Sequence, residues 1–201
     1  ARRFPDADHE ATLARCHYTT DLAEAARQAD LVIEAVPERL EVKRAAWANL
    51  GAICPAEMVI ATNSSSLRVS LIEDVISHPE RALNMHFYAP VLEKPMADLM
   101  RGKHTSDEVL ERARRFIRSL GMLPLMVKKE STGMIYNRVW RAVKKECLKV
   151  VAEGVATPED VDRAWMIFTG AVRGPFGMMD IVGLDVIRDI EMVYAQESGD
   201  P

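Results

Sequence analysis

His86 closes the apolar run "ALNMHF", and twelve residues later Asp98 interrupts a second apolar run, "PMADLM". A carboxylate among apolar side chains is costly to bury unless it is paired. An imidazole removes that cost, and the pair holds and strengthens the imidazole as a base. A histidine–carboxylate pair without a nucleophile suits proton transfer to or from an alcohol. In isolation a histidine on an apolar strand is more often a satisfied core residue than a base, and two features shift that reading: its place at a strand's carboxyl end and the carboxylate on the neighbouring run. Ser65, in "NSSS", is a possible nucleophile, but the G-x-S-x-G turn that would expose it is absent. Ser66 reads as a simple helix cap. Asn137 lies in "STGMIYNRVW", among apolar side chains that argue against plain exposure.

For these groups to meet, the chain must bring them to one rim. "LVIEAV" (31–36) is a continuous apolar run broken only by Glu34, the mark of a strand covered on both faces. "MVIAT" (58–62), "ALNMHF" and "LPLMV" (123–127) read as further strands, and "CHYTT" as a short one. Helices are expected from about Asp21 to Ala29 with Thr20 as cap, from about Leu40 to Ile53, and as a short piece near Ser70–Ile76. Another is expected after "TSDE", where Thr105 and Glu108 form a capping box, with Gly121 ending it. Strands alternating with helices at this spacing argue for a parallel, doubly wound sheet. Ligands bind such sheets beyond the carboxyl ends of the strands. Glu38 and Lys43 follow the first run, Asn63 and Ser65 the second, and His86 ends the third.

After "KKE" (128–130) the pattern turns helical. "GMIYNRVWRAVKKECLKVVAEG" carries apolar residues at helical period, and Thr157 with Pro158 opens another helix. "RGPFGMMDIVG" reads as a turn-rich loop before a last helix near Asp185. The expected division is therefore 1–127, an α/β domain, and 128–201, an all-helical domain. No G-x-G-x-x-G turn occurs, so the chain reads as an internal piece of a longer protein, lacking a pyrophosphate-binding start.

The 201 residues, 48% apolar and 28% charged, have an ordinary water-compatible composition with a net charge of −4. No basic stripe suggests nucleic acid, and no apolar run approaches a membrane span. The three cysteines are far apart and without metal-ligand spacing, which points to a reducing, cytoplasmic location and no metal site. Trp140, Trp165, Met166, Phe168, Met178 and Met179 are many large apolar groups for the helical part to cover alone, so a homodimer through that part is expected.

The motifs "DLVIEAVPERLEVK", "IATNSSSLRVS", "HFYAP", "KKESTGMIYNR", "EDVDRAW" and "RGPFGMMDIVGLD", in that order, resemble the 3-hydroxyacyl-CoA dehydrogenase family over nearly the whole chain. The resemblance implies a partial Rossmann-like NAD-binding domain followed by a helical domain that dimerises and closes over substrate. It implies NAD as cofactor and oxidation of the 3-hydroxyl of an acyl-CoA, or of a related 3-hydroxy acid such as carnitine or a sugar acid. By the same resemblance His86 is the base and Asp98 its orienter. Ser65 and Asn137 contact the reacting oxygen and place the substrate, and Glu38, Lys43, Asn63 and Ser65 lie toward the nicotinamide end of the cofactor. The chain differs from the family at three places, one of them the segment "LEKPMADLM". Asp98 stands where the family has a glutamate, and "HFYAP" places Ala89 where the family has an asparagine. The competing readings are a non-catalytic dimerisation module and a hydrolase built on Ser65.

Overall fold

In the computed structural model, which describes residues 9–198, one five-stranded sheet carries the first part of the chain. Its strands are β1 (Leu31–Glu34), β2 (Val59–Thr62), β3 (Ala82–Phe87), β4 (Met96–Arg101) and β5 (Leu123–Val127), adjacent in chain order. β1, β2 and β3 are parallel, β4 is antiparallel to β3, and β5 is parallel to β4. The sheet is therefore mixed, not wholly parallel as the alternation of elements suggested. The cause is the connection 88–95: a parallel crossover needs a dozen or more residues, and this segment is shorter and holds no helix.

Side-chain alternation sorts the sheet into two cores. Ile60 and Ala82 pack with Trp47 and Leu50 of α3 (Leu40–Ile53) and with Val69, Ile72 and Ile76. Val59, Ala61, Leu83, Met85, Ala97 and Leu99 pack on Val109, Ala113 and Ile117 of α4 (Asp107–Ser119). Those three α4 residues recur every four positions, the single apolar stripe of a helix lying on a sheet. Asn84, His86 and Asp98 fall on the alternate positions and share the α3 side.

Local chemistry explains where elements differ from expectation. Cys16–Thr20 forms no strand; instead Asp21, whose side chain accepts from the Ala23 and Glu24 N–H groups, caps the short helix α2 (Leu22–Ala26), which follows α1 (His9–Leu13). β1 is an edge strand with Ile33 37% exposed, so it is not covered on both faces. Residues 69–81 hold three single-turn 3-10 helices in place of one α-helix. The cap of α4 is Ser106, because the Thr105 hydroxyl is already engaged with the Ala82 carbonyl and the Gly102 N–H.

The chain divides into two compact units, Ala1–Ile135 and Tyr136–Pro201. The expected boundary near residue 128 marks the end of the sheet, but the following residues stay with the first unit. Glu130 accepts from the Ser70 N–H at 3.1 Å, and the Gly133 N–H donates to the Ser65 carbonyl at 3.1 Å. Gly133 and Met134 both take positive φ, 75° and 52°, a turn that glycine enters freely and methionine does not.

The second unit is built of α5 (Tyr136–Ala152), α6 (Pro158–Thr169), α7 (Pro175–Val182) and α8 (Leu184–Ser198). α7 replaces the expected loop. Its cap position, Gly174, has no side chain to offer, and Asp162 of α6 caps it from a distance, accepting from the Phe176 and Gly177 N–H groups at 2.8 and 2.9 Å. A β-carbon on Gly174 would lie 2.2 Å from the Asp162 carboxyl carbon, so glycine is required there. Glu191 of α8 accepts from Arg141 at 2.9 Å and from the buried Lys144 at 2.7 Å, joining α8 to α5.

Candidate active site

The carboxyl end of β1 begins the site. Glu34, its last residue, is buried and fully partnered: Oε1 accepts from Lys43 Nζ at 2.9 Å and from the Val36 N–H at 2.7 Å, and Oε2 from Trp47 Nε1 at 3.2 Å. Lys43 and Trp47 are four apart on α3 and so meet the strand end from one helix face. Lys43 also donates to the Val36 carbonyl at 3.2 Å and pairs with Glu38 Oε2 at 3.1 Å. Its ammonium, 1% exposed, is thereby taken up by the protein itself.

Glu38 ties this strand end to the next. Its Oε1 accepts from the Ser64 and Ser66 hydroxyls and from the Ser66 and Leu67 N–H groups, the last two at 3.2 and 3.3 Å. Burial pushes the Glu38 carboxyl up, but the two serine hydroxyls and the Lys43 ammonium outweigh it and hold the group below its ordinary value. Ser66, which reads as a helix cap, thus forms with Ser64 the clamp of a carboxylate. Ser65 stands between them, half-buried; its carbonyl is fixed by Gly133, and its hydroxyl has no hydrogen-bond partner among the described residues.

Asn63 closes the gap between β2 and β3. Its N–H donates to the Glu34 carbonyl at 2.8 Å and its Oδ1 accepts from the Phe87 N–H at 2.9 Å. Asn84, fully buried in β3, secures the other side of the serine turn. It accepts from the Val69 N–H at 2.8 Å and donates to the Leu67 carbonyl at 3.1 Å.

His86 and Asp98 face each other directly across the antiparallel β3–β4 pair, on the same side of the sheet. His86 Nδ1 lies 3.9 Å from Asp98 Oδ2, too far for a hydrogen bond. That oxygen instead accepts the hydroxyl of Tyr88, whose ring stands edge-on to the imidazole with centroids 4.6 Å apart. His86 Nδ1 and Asp98 Oδ1, both buried, have no hydrogen-bond partner among the described residues. The geometry leaves Nε2 as the nitrogen available to a substrate.

Asn137 belongs to the second unit. It is the second residue of α5, half-buried, and its side chain makes no hydrogen bond among the described residues. Glu34, Asn84 and Tyr88 join the site without being among the residues expected there from sequence. Each had a faint signal: a charge at a strand end, and polar side chains two positions before and after His86. No group of histidine, cysteine and carboxylate side chains that could hold a metal ion occurs among the described residues.

Polar groups gather at the carboxyl ends of three parallel strands, where an α/β sheet of this class takes its ligands, and a histidine faces a carboxylate there. Comparison with known proteins gives the family. Residues 1–131 match the family model "3-hydroxyacyl-CoA dehydrogenase, NAD binding domain", and residues 133–201 match "3-hydroxyacyl-CoA dehydrogenase, C-terminal domain". The chain belongs to the 3-hydroxyacyl-CoA dehydrogenase family. It is 39% identical to the 3-hydroxyadipyl-CoA dehydrogenase of Escherichia coli, over 88% of this chain and 37% of that protein. It is 35% identical to the L-carnitine dehydrogenase of Bacillus cereus, over 84% of this chain and 53% of that protein. Among solved structures, the (S)-3-hydroxybutyryl-CoA dehydrogenase PaaH1 from Ralstonia eutropha superposes with a TM-score of 0.89 at 30% identity, covering 96% of this chain and 67% of that one. The chain thus spans about half, or less, of the length of these two curated relatives.

The match makes NAD the cofactor of the first domain. The residues present are compatible with a polar ligand: a half-exposed, clamped carboxylate at Glu38 and a Ser65 hydroxyl without a partner among the described residues lie just beyond the ends of β1 and β2. No helix of the described residues is long and apolar enough to cross a membrane.

Proposed function

We propose that the protein oxidises the 3-hydroxyl of a 3-hydroxyacyl-CoA, or of a related 3-hydroxy acid, to the 3-oxo compound with NAD. The observation that carries this is His86 opposite Asp98, at the carboxyl end of β3 and beside the serine turn. His86 Nε2 takes the hydroxyl proton, and the carboxylate stabilises the charge left on the imidazole. When bound, NAD supplies the two-electron acceptor. Glu38, Asn63 and Ser65 line its nicotinamide end, and Lys43 contributes from behind by holding Glu38. Ser65 hydrogen-bonds the reacting oxygen; Asn137, the other residue that the family resemblance assigns to the substrate, belongs to the second unit. The division of labour follows the two units, the first, through Ile135, for the cofactor and the second, from Tyr136, for substrate and dimerisation.

The test is NADH formation by the full-length protein with NAD and either 3-hydroxybutyryl-CoA or L-carnitine. Turnover with the thioester is the expected result. Turnover with carnitine alone would move the assignment to the acid, a reading favoured by the likeness to L-carnitine dehydrogenase and by Ala89 in place of the family's asparagine. No NADH with any 3-hydroxy compound would overturn the proposal.

The second unit supports a homodimer. Ile167, Phe168 and Val172, at and just beyond the end of α6, are 85%, 92% and 87% exposed. Side chains of this size clustered in water mark a surface that another chain covers. Phe168→Glu is expected to convert a dimer to a monomer in analytical ultracentrifugation, and an unmodified protein that sediments as a monomer would refute the dimer. The cysteines Cys16, Cys54 and Cys147 are all free, in keeping with a cytoplasmic location.

A further inference from the structure

We propose that Tyr88 is a positioning residue for the base, through which the short carboxylate of Asp98 acts on His86. This rests on the reading of His86 as the base. The antiparallel register puts His86 and Asp98 face to face, yet 3.9 Å separates Nδ1 from Oδ2. A carboxylate that cannot reach its imidazole orients nothing unless something else fixes it. Tyr88 does this: two residues beyond His86, it returns to the same side of the sheet and donates its hydroxyl to the same Oδ2.

Tyr88 thus meets both members of the pair. Its hydroxyl anchors the carboxylate, and the edge of its ring, at 71° to the imidazole plane, forms a wall against which that plane is set. Asp98 is 0% exposed, His86 8% and Tyr88 6%, so water does not average these contacts away. The anchored negative charge still acts over the 3.9 Å gap, favouring a proton on Nδ1 and leaving Nε2 as the acceptor. Aspartate at this position and tyrosine two residues after the histidine therefore function together. The phenol supplies the anchoring that a direct bond to the imidazole would otherwise provide.

The experiment compares Tyr88→Phe, Asp98→Glu and the double variant in the full-length protein, with the substrate that the wild type turns over. Tyr88→Phe keeps the ring and its packing but releases the carboxylate. Its kcat is expected to fall about ten- to a hundredfold, the rate equivalent of one hydrogen bond to a charged group, with KM for both substrates nearly unchanged. Adding Asp98→Glu extends the carboxylate by one methylene, about 1.5 Å of reach. That closes the gap and is expected to return kcat to near the wild-type value. Tyr88→Phe with wild-type turnover overturns the proposal, as does a loss that Asp98→Glu fails to restore in a folded double variant.

A second readout does not depend on the double variant. The ¹⁵N resonances of the neutral His86 imidazole are expected to report one tautomer in the wild type, with the proton on Nδ1, and a mixture in Tyr88→Phe. Identical resonances in the two proteins overturn the proposal. Failure of the underlying reading is separately visible: it would show as full turnover in His86→Gln, whereas failure of this proposal alone leaves His86 essential and Tyr88 dispensable.

Discussion

His86→Gln is expected to lower kcat by about two to four orders of magnitude, the range for loss of a general base. Glutamine is polar and similar in reach, so the carboxyl end of β3 keeps its shape, but its amide cannot accept a proton at neutral pH. NADH binding is expected to change little, because the imidazole acts on the alcohol proton and not on the dinucleotide. Steady-state kinetics with a fluorescence titration of NADH separates the two effects. A folded His86→Gln protein with wild-type kcat would mean that His86 is a core residue after all. A loss confined to NADH affinity would place His86 in cofactor binding instead. Asp98→Asn is expected to act in the same direction but less, since it removes charge while leaving a base in place.

The largest expected effect on stability is at Lys43. Lys43→Met keeps the apolar stem but strips Glu34, itself 5% exposed, of its counter-charge, and breaking one side of a buried ion pair costs about 3–5 kcal/mol. The Trp47 and Val36 donors remain on Glu34 and keep the loss within that range. Urea unfolding of wild type and variant measures it, and a shift too small to resolve would show that the pair contributes no net stability. The same substitution has a pH signature through Glu38. Its carboxyl is held below its ordinary value in the folded protein, so its contribution is complete above the ordinary carboxylate range and disappears as pH falls through the lowered value. Without the Lys43 ammonium that lowered value moves up, and acid unfolding of the variant is expected to begin at a higher pH.

Much of this architecture is written locally. The runs at 82–87 and 123–127 form the expected strands residue for residue, and α3 spans Leu40–Ile53 as its periodicity indicates, because apolar spacing reports directly on which side chains a strand or helix buries. Features set by distant residues were not legible. The cap of α7 comes from Asp162, so "RGPFG" looks like a loop when read by itself. The direction of β4 depends on the span of the connection before it, which no single strand reveals. At the site, two polar residues in apolar runs were enough to pair His86 with Asp98. The separation of their atoms, and the hydroxyl that occupies the oxygen between them, depend on rotamers and on a tyrosine whose type alone gives no hint of a partner.

The antiparallel pairing of β3 with β4 also bears on how such a protein can diversify. Sliding one strand by a single residue would turn Asp98 toward the α4 core and bring apolar neighbours to the α3 side, so selection against a buried lone charge holds the register. The intervening segment from Ala89 to Pro95 is not bound by that requirement. Its Val91 and Leu92 stand in solvent, and it can gain, lose or exchange residues while the strands beneath keep their alignment. Side-chain changes in this tip therefore leave the facing of His86 and Asp98 across the two strands undisturbed.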